Sequence, residues 1–223
     1  MKQVISIVLI IIAEIAVIFG GYVVAGSARN QPLPETAVAL QSDEMVTVTT
    51  EPFRAFSPTG QTPATGFILY PGGLVPAEAY APAARAIAAQ GYLVVLPDMP
   101  LNQAVFSPNR AARIIAAYPM IDHWAVGGHS LGGTMAAAFV SNNPQAADGL
   151  VFWASYPADS AALAGLDLAV TSIYGTNDGL TTAEDIERSR AMLPPQTVFV
   201  GIEGGNHTQF GYYGDGLQAG DNP

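Results

Sequence analysis

Six short, mainly apolar runs recur between residues 66 and 202, and helical stretches separate most of them. They are 66–70 (GFILY), 92–96 (YLVVL), 124–127 (WAVG), 149–154 (GLVFWA), 169–174 (AVTSIY) and 197–202 (TVFVGI). A strand with one wet face alternates polar and apolar residues, whereas a strand buried on both faces reads as a continuous apolar run. Helical patterns fill 77–90, closed by Gly91, and then 108–118, 131–142 and 181–192. Strands alternating with helices call for a mostly parallel, doubly wound α/β sheet covered on both faces. Residues 45–50 instead alternate apolar residues with threonine, which reads as an exposed or edge strand. Only residues 156–167 separate two of the strands, too few for a large cap, so an open and shallow site is expected.

A different kind of segment opens the chain. Residues 4–24 are nearly all apolar, close to the ~20 residues that cross a bilayer as a helix. Glu14 interrupts them. A charge at mid-helix costs roughly 3 kcal/mol on insertion scales. About a dozen Ile, Val, Leu and Phe residues at roughly −0.3 to −0.6 kcal/mol each outweigh it. Residues 1–28 are therefore expected to be a transmembrane anchor, favoured over a signal peptide cleaved near Ala25-Gly26-Ser27, because an h-region spans only ~7–15 residues. Lys2 before the run and Arg29 after it set orientation weakly. The expected arrangement is N-terminus inside and domain outside the cytoplasm. Secretion after cleavage is the alternative. Residues 29–43 carry Pro32 and Pro34 among polar residues and read as a linker. Residues 44–223 are left for one catalytic-sized domain.

Composition narrows the function. The eight basic residues are Lys2 and seven scattered arginines, against 18 acidic ones, for a net charge of −10. No basic patch exists to release counterions from phosphates, so nucleic acid is not an expected partner. Cysteine is absent, which excludes disulfides, thiolate metal sites and a cysteine nucleophile. With three histidines, a His-rich metal site is not expected, nor any cofactor.

Chemistry concentrates in Gly128-His129-Ser130-Leu131-Gly132, which follows a buried strand and opens a small-residue helix. A serine in such a turn is held above the sheet, and its neighbours must lack bulk. Gly128, Gly132 and Gly133 supply that room. The N–H of Leu131, at a helix N-terminus, faces the place where an oxyanion would develop. A serine nucleophile needs a base, and the base an orienting acid. His207, in Gly204-Gly205-Asn206-His207, is the only histidine after Ser130 and lies just past the last strand. His123 precedes its strand and belongs at the opposite edge, and His129 sits inside the turn. Asp178, in Gly175-Thr176-Asn177-Asp178-Gly179, follows a strand and is the preferred acid over Asp98 and Glu203. An Asx turn would also account for it. Tyr70-Pro71-Gly72-Gly73-Leu74 ends another strand, and an N–H of Gly73 or Leu74 is expected as the second oxyanion donor, although Pro71-Gly72 also fits a plain type II turn. Met99, Tyr156, Phe210 and Tyr212 are candidate lining residues.

Together these motifs resemble the α/β-hydrolase superfamily, specifically its small lidless esterase-like members related to dienelactone hydrolases. The resemblance spans roughly residue 44 onward. It implies Ser130 as nucleophile, His207 as base and Asp178 as acid. The substrate it implies is a small-molecule ester or related acyl compound. The same triad serves serine peptidases and acyltransferases, and a silent membrane-anchored binding protein is the non-enzyme alternative. One departure stands out: the superfamily ends with a helix after the histidine loop, and residues 208–223 show no helical pattern. The chain is therefore expected to be C-terminally truncated, with the closing helix missing, one sheet face partly uncovered and the His207 loop loosely held. Oligomeric state has no signature in the sequence.

Overall fold

The structure, a computed structural model, describes residues 2–214. Its elements run α1 (Lys2–Arg29), α2 (Glu35–Ala39), β1 (Val46–Thr49), β2 (Arg54–Pro58), β3 (Thr65–Tyr70), α3 (Ala81–Ala88) and β4 (Leu93–Leu96). They continue as α4 (Arg110–Ala117), β5 (His123–His129), α5 (Leu131–Asn142), β6 (Gly149–Trp153), β7 (Ala169–Gly175), α6 (Ala183–Ser189) and β8 (Val198–Ile202). All strands join one eight-stranded sheet in the order β1-β2-β4-β3-β5-β6-β7-β8. From β4 to β8 the pairings are parallel, and β1 and β2 add an antiparallel margin. The α/β class, the mostly parallel sheet and the absence of a large cap among the described residues agree with the sequence.

Alternation along each strand divides the core. Ile68 and Tyr70 of β3, with Val95 of β4 and Val126 of β5, point to the face covered by α4 and α5. Phe67 and Leu69, with Val94 and Leu96, point to the face covered by α3. Each such aliphatic or aromatic side chain, fully buried, contributes on the order of 1.5–3 kcal/mol. Glycine and alanine in α5 let that helix lie close on β5 and β6. Thr182 caps α6 reciprocally with Asp185, so two otherwise unpartnered N–H groups are satisfied.

The second face is covered only in part. Over β5 to β7 it forms an open groove of about 350 Å3 lined by Phe67, Ile87, Ala125, Val151, Trp153 and Ile173, among others. Val198, Val200 and Ile202 of β8 are exposed. Among the described residues no helix covers this half. Residues 215–223, where part of the expectation about a closing helix falls, lie outside the described residues.

Two expectations need correction. The stretch 29–43 is not a free linker. It holds α2, which packs on α3 with Thr36 and Ala39 buried. Arg85 of α3 bonds the carbonyls of Ala39 and Gln41 and pairs with Asp43. Strand β2 was not anticipated, because Arg54 and Ser57 interrupt its apolar pattern. Only Ala55, Phe56 and Pro58 of it are buried.

The chain leaves β3 toward β4 on one side and returns to β5 on the other. The crevice at the carboxyl ends of β3 and β5 is therefore a topological switch point, where sheets of this kind take ligands.

Candidate active site

Ser130 stands between β5 and α5 at φ 51° and ψ −125°. A residue with a Cβ keeps such a conformation only when its surroundings impose it. Here the Ser130 N–H donates to the Trp153 carbonyl on β6 at 3.0 Å. The Ser155 hydroxyl donates to the Ser130 carbonyl at 2.6 Å. A Cβ on Gly128 would collide with the backbone of Gly132, and one on Gly132 with the carbonyl oxygens of Tyr70 and Pro71. These two glycines are required for close approach. Among the described residues, Leu74, Leu101, Asn102, Ser130 and Ala154 are the non-glycine positions with positive φ. They occupy the consecutive loops after β3, β4, β5 and β6. Backbone strain thus gathers on the carboxyl edge, the side where ligands are expected.

Leu131 is the first residue of α5, and an N–H there has no carbonyl one turn back. The choice between Gly73 and Leu74 is decided by a bond the sequence does not announce. Leu74 N–H already donates to the Asn102 carbonyl at 2.8 Å, which corrects its expected place as an oxyanion donor. Gly73 is left. A Cβ placed on it would touch the Leu131 side chain, Cδ2 at 3.4 Å, so Gly73 lies beside Leu131. Ser130, Leu131, Gly73 and Leu74 line one cavity of about 390 Å3. A second, of about 340 Å3, is lined by Ser130, Leu131, Thr134, Ser155, Tyr156, Leu180, Thr181 and His207. Ser130 and His207 therefore open onto the same space.

His207 and Asp178 come together in the fold. His207 Nδ1 lies 2.8 Å from Asp178 Oδ2, and both side chains are out of solvent. The other carboxylate oxygen accepts the N–H groups of Leu180 at 2.8 Å and Thr181 at 2.7 Å. Asp178 is thus the Asx-turn residue its sequence also permitted and the partner of His207 at once. Thr181 in turn donates its hydroxyl to the Ala154 carbonyl at 2.9 Å, tying this loop to the one after β6.

Behind this pair lies a relay. Gly72 N–H donates to the Tyr80 hydroxyl at 3.0 Å. That hydroxyl lies 2.8 Å from His129 Nδ1, and His129 Nε2 lies 3.1 Å from the His207 carbonyl. The His207 carbonyl only accepts, so His129 carries a proton on Nε2. With the ring neutral, Nδ1 is an acceptor and the Tyr80 hydroxyl donates to it. Burial, and secondarily the neighbouring His207, hold the His129 pKa well below the ordinary value, in keeping with the neutral ring. Burial raises that of Tyr80, which stays a hydroxyl. Phe210 stacks on the His129 ring at 5.8 Å. The relay joins the loop after β3, the turn at Ser130 and the loop after β8. The His207 loop is consequently well held, contrary to expectation. Tyr212 N–H to the Ala79 carbonyl, at 2.8 Å, holds it further.

The remaining candidates separate cleanly. His123 is exposed at the opposite edge, 3.6 Å from Asp148. Asp98 pairs with Arg54 at 2.8 Å, and Glu203 is exposed. Tyr156 lines the cavity; Met99 is buried in the core, Phe210 backs His129, and Tyr212 is exposed. Tyr80, Ser155 and the structural part played by His129 were missed, because their partners lie far away in sequence. No cluster of three or more His, Cys, Asp or Glu side chains suited to a metal occurs among the described residues.

Comparison with known proteins agrees with this fold. Residues 66–223 match the Alpha/beta hydrolase family. A thermophilic esterase from the planctomycete Thermogutta terrifontis superposes with a TM-score of 0.57 at 16% identity, over 76% of this chain and 84% of its own. Its butyrate-bound form gives 0.56 at 15% identity, over 76% and 86%. A CIB-like hydrolase from Thermoplasma acidophilum gives 0.55 at 17% identity, over 74% and 88%. At these identities the likeness is one of fold. No curated protein sequence matches the chain.

Proposed function

Since the chain belongs to the alpha/beta hydrolase family, we propose that it hydrolyses carboxylic esters through Ser130, His207 and Asp178, by way of a covalent acyl-enzyme. The observation that carries this reading is the meeting of three features around one cavity. They are a strained serine, a His207 side chain held by buried Asp178 at 2.8 Å, and the Leu131 N–H at the start of α5. In the first half-reaction Ser130 Oγ attacks the ester carbonyl carbon and its proton passes to His207 Nε2. Asp178 keeps Nδ1–H in place and stabilises the imidazolium. The oxyanion accepts from Leu131 and Gly73, each such donor being worth roughly 3–4 kcal/mol in related chemistry. Collapse expels the alcohol with the proton from His207. Water, deprotonated by His207, then attacks the acyl group, and the carboxylic acid leaves as Ser130 regains its proton.

The reading extends to location. Helix α1 contains a span, Ile7–Arg29, of mean hydropathy 2.7 that is almost wholly unburied by the rest of the chain. An apolar helix without protein cover favours a single-pass anchor, with the domain on the extracytoplasmic side. Cleavage near Ala25 would also remove residues that pack on the domain: Val23 is buried, and a Cβ on Gly26 would collide with Leu74.

A panel of p-nitrophenyl esters against peptide and amide substrates tests the reaction. Turnover of the esters, lost in Ser130→Ala, is expected. Faster cleavage of amides would replace the ester reading with a peptidase.

A further inference from the structure

We infer that the substrate is an amphiphilic ester presented from the bilayer surface, its acyl chain entering the Ser130 cavity along α1. The inference rests on the ester-hydrolase reading above and adds the substrate class. Its first support is the make-up of the cavity. Tyr22, Gly26, Arg29 and Asn30 form one wall, facing Gly73, Leu74, Ser130, Leu131 and Leu180. The end of the apolar helix is thus part of the site.

That wall is fixed in place. Asn30 Nδ2 donates to the Leu74 carbonyl at 3.4 Å, and Asn102 Nδ2 to the Ser27 hydroxyl at 3.5 Å. The Phe19 ring meets Phe106 edge to face at 6.1 Å between centroids. The loop 100–106 therefore bridges α1 and the oxyanion loop, because Asn102 also accepts from Leu74.

Depth is the second support. A hydrocarbon core of ~30 Å takes up ~20 helical residues, so residues 4–24 place its boundary near Val24. Tyr22 and Gly26, both lining the cavity, lie two residues before and after Val24, so the cavity straddles that boundary from roughly 3 Å inside it. An aromatic ring such as Tyr22 is the usual occupant of this level. Phe106, touching Phe19, reaches from the domain to one helical turn below Tyr22.

The third support is the rim. Leu101 is 55% exposed, Phe106 50% and Val105 44%, all on the loop beside α1, and Leu180 at the cavity is 40% exposed. Apolar side chains clustered beside a membrane span have a natural cover in the acyl region of the bilayer. A cavity of about 390 Å3 holds the ester and the start of a chain, and the remainder continues past Tyr22 into lipid. With a net charge of −10, the domain fits neutral headgroups better than anionic ones.

The test uses the full chain in phosphatidylcholine nanodiscs. Two substrates are compared: p-nitrophenyl palmitate, resident in the bilayer, and water-soluble p-nitrophenyl acetate. The double variant L101Q/V105Q changes only exposed residues that line neither cavity and hold no part of the α1 wall, and fluorophosphonate labelling of Ser130 checks that its site is intact. The expected result is a fall of about tenfold in kcat/KM for the palmitate, the factor that losing one buried apolar side chain implies, with the acetate unchanged. Equal change for both substrates, no change in either, or hydrolysis of the acetate alone by the unaltered protein would overturn the inference. Absence of both hydrolysis and labelling in the unaltered protein would sink the ester-hydrolase reading itself and this inference with it.

Discussion

Strand β5 begins and ends on a histidine, and the two have opposite fates. His123 stands in water at the amino edge, with a loose contact to Asp148 at 3.6 Å. Six residues on, His129 is buried at the carboxyl edge with both ring nitrogens engaged. Nothing in the residue type separates them. Position along a parallel strand does, because the carboxyl edge is where loops converge, strain collects and polar groups must find one another away from solvent. The difference between the two ends of one strand is the difference between the working and the idle edge of this sheet.

Substitutions along that gradient should act in order. Ser130→Ala and His207→Ala are expected to lower kcat for ester hydrolysis by about 10^4 or more, leaving only a residual rate from oxyanion binding. Steady-state kinetics on a soluble ester would measure it. Gly132→Ala drives a Cβ into two carbonyl oxygens and is expected to cost on the order of 3 kcal/mol or more in denaturant midpoints. His129→Phe keeps a ring against Phe210 but loses both bonds. It should cost about 2 kcal/mol and lower kcat more than it raises KM. Tyr80→Phe leaves Gly72 N–H and His129 Nδ1 without their partner, for about 1–3 kcal/mol. At the other end, His123→Ala should stay within about 0.5 kcal/mol and leave activity intact. A large effect there would erase the contrast.

Acid should expose the buried end of the strand. The folded protein holds His129 neutral, with a pKa well below the ordinary value, whereas the unfolded chain takes up a proton near the ordinary histidine value of 6.5. Stability from this group is therefore complete above that pH and is lost as pH falls toward the depressed folded value. The slope approaches about 1.4 kcal/mol per pH unit. Urea midpoints measured from pH 8 downward should show this slope in the unaltered protein and a shallower one in His129→Phe.

Much of this architecture is written locally. Apolar runs give β3 to β8, glycine spacing gives the turn at Ser130, and chain order leaves His207 as the base and points to Asp178. What escaped is non-local. Tyr80 sits in an alanine-rich helix start with nothing to mark it, and its partner is 49 residues away. Leu74 was a plausible oxyanion donor until the loop after β4 brought the Asn102 carbonyl to its N–H. Residues 29–43 read as a linker because of Pro32 and Pro34. Yet Pro32 bridges Tyr213 and Leu40 packs beside α3, contacts with residues well separated from them in sequence. Arg54 hid β2 for the opposite reason: its charge looked out of place in a strand until Glu78 at 2.7 Å and Asp98 at 2.8 Å supplied partners.

Mass spectrometry of the folded, intact chain after treatment with a fluorophosphonate bears most directly on the assignment of Ser130. A single adduct on Ser130, formed about 10^3-fold or more slowly in His207→Ala, is the expected finding. A folded protein that forms no adduct there, or one that labels as fast in His207→Ala, would contradict the assignment.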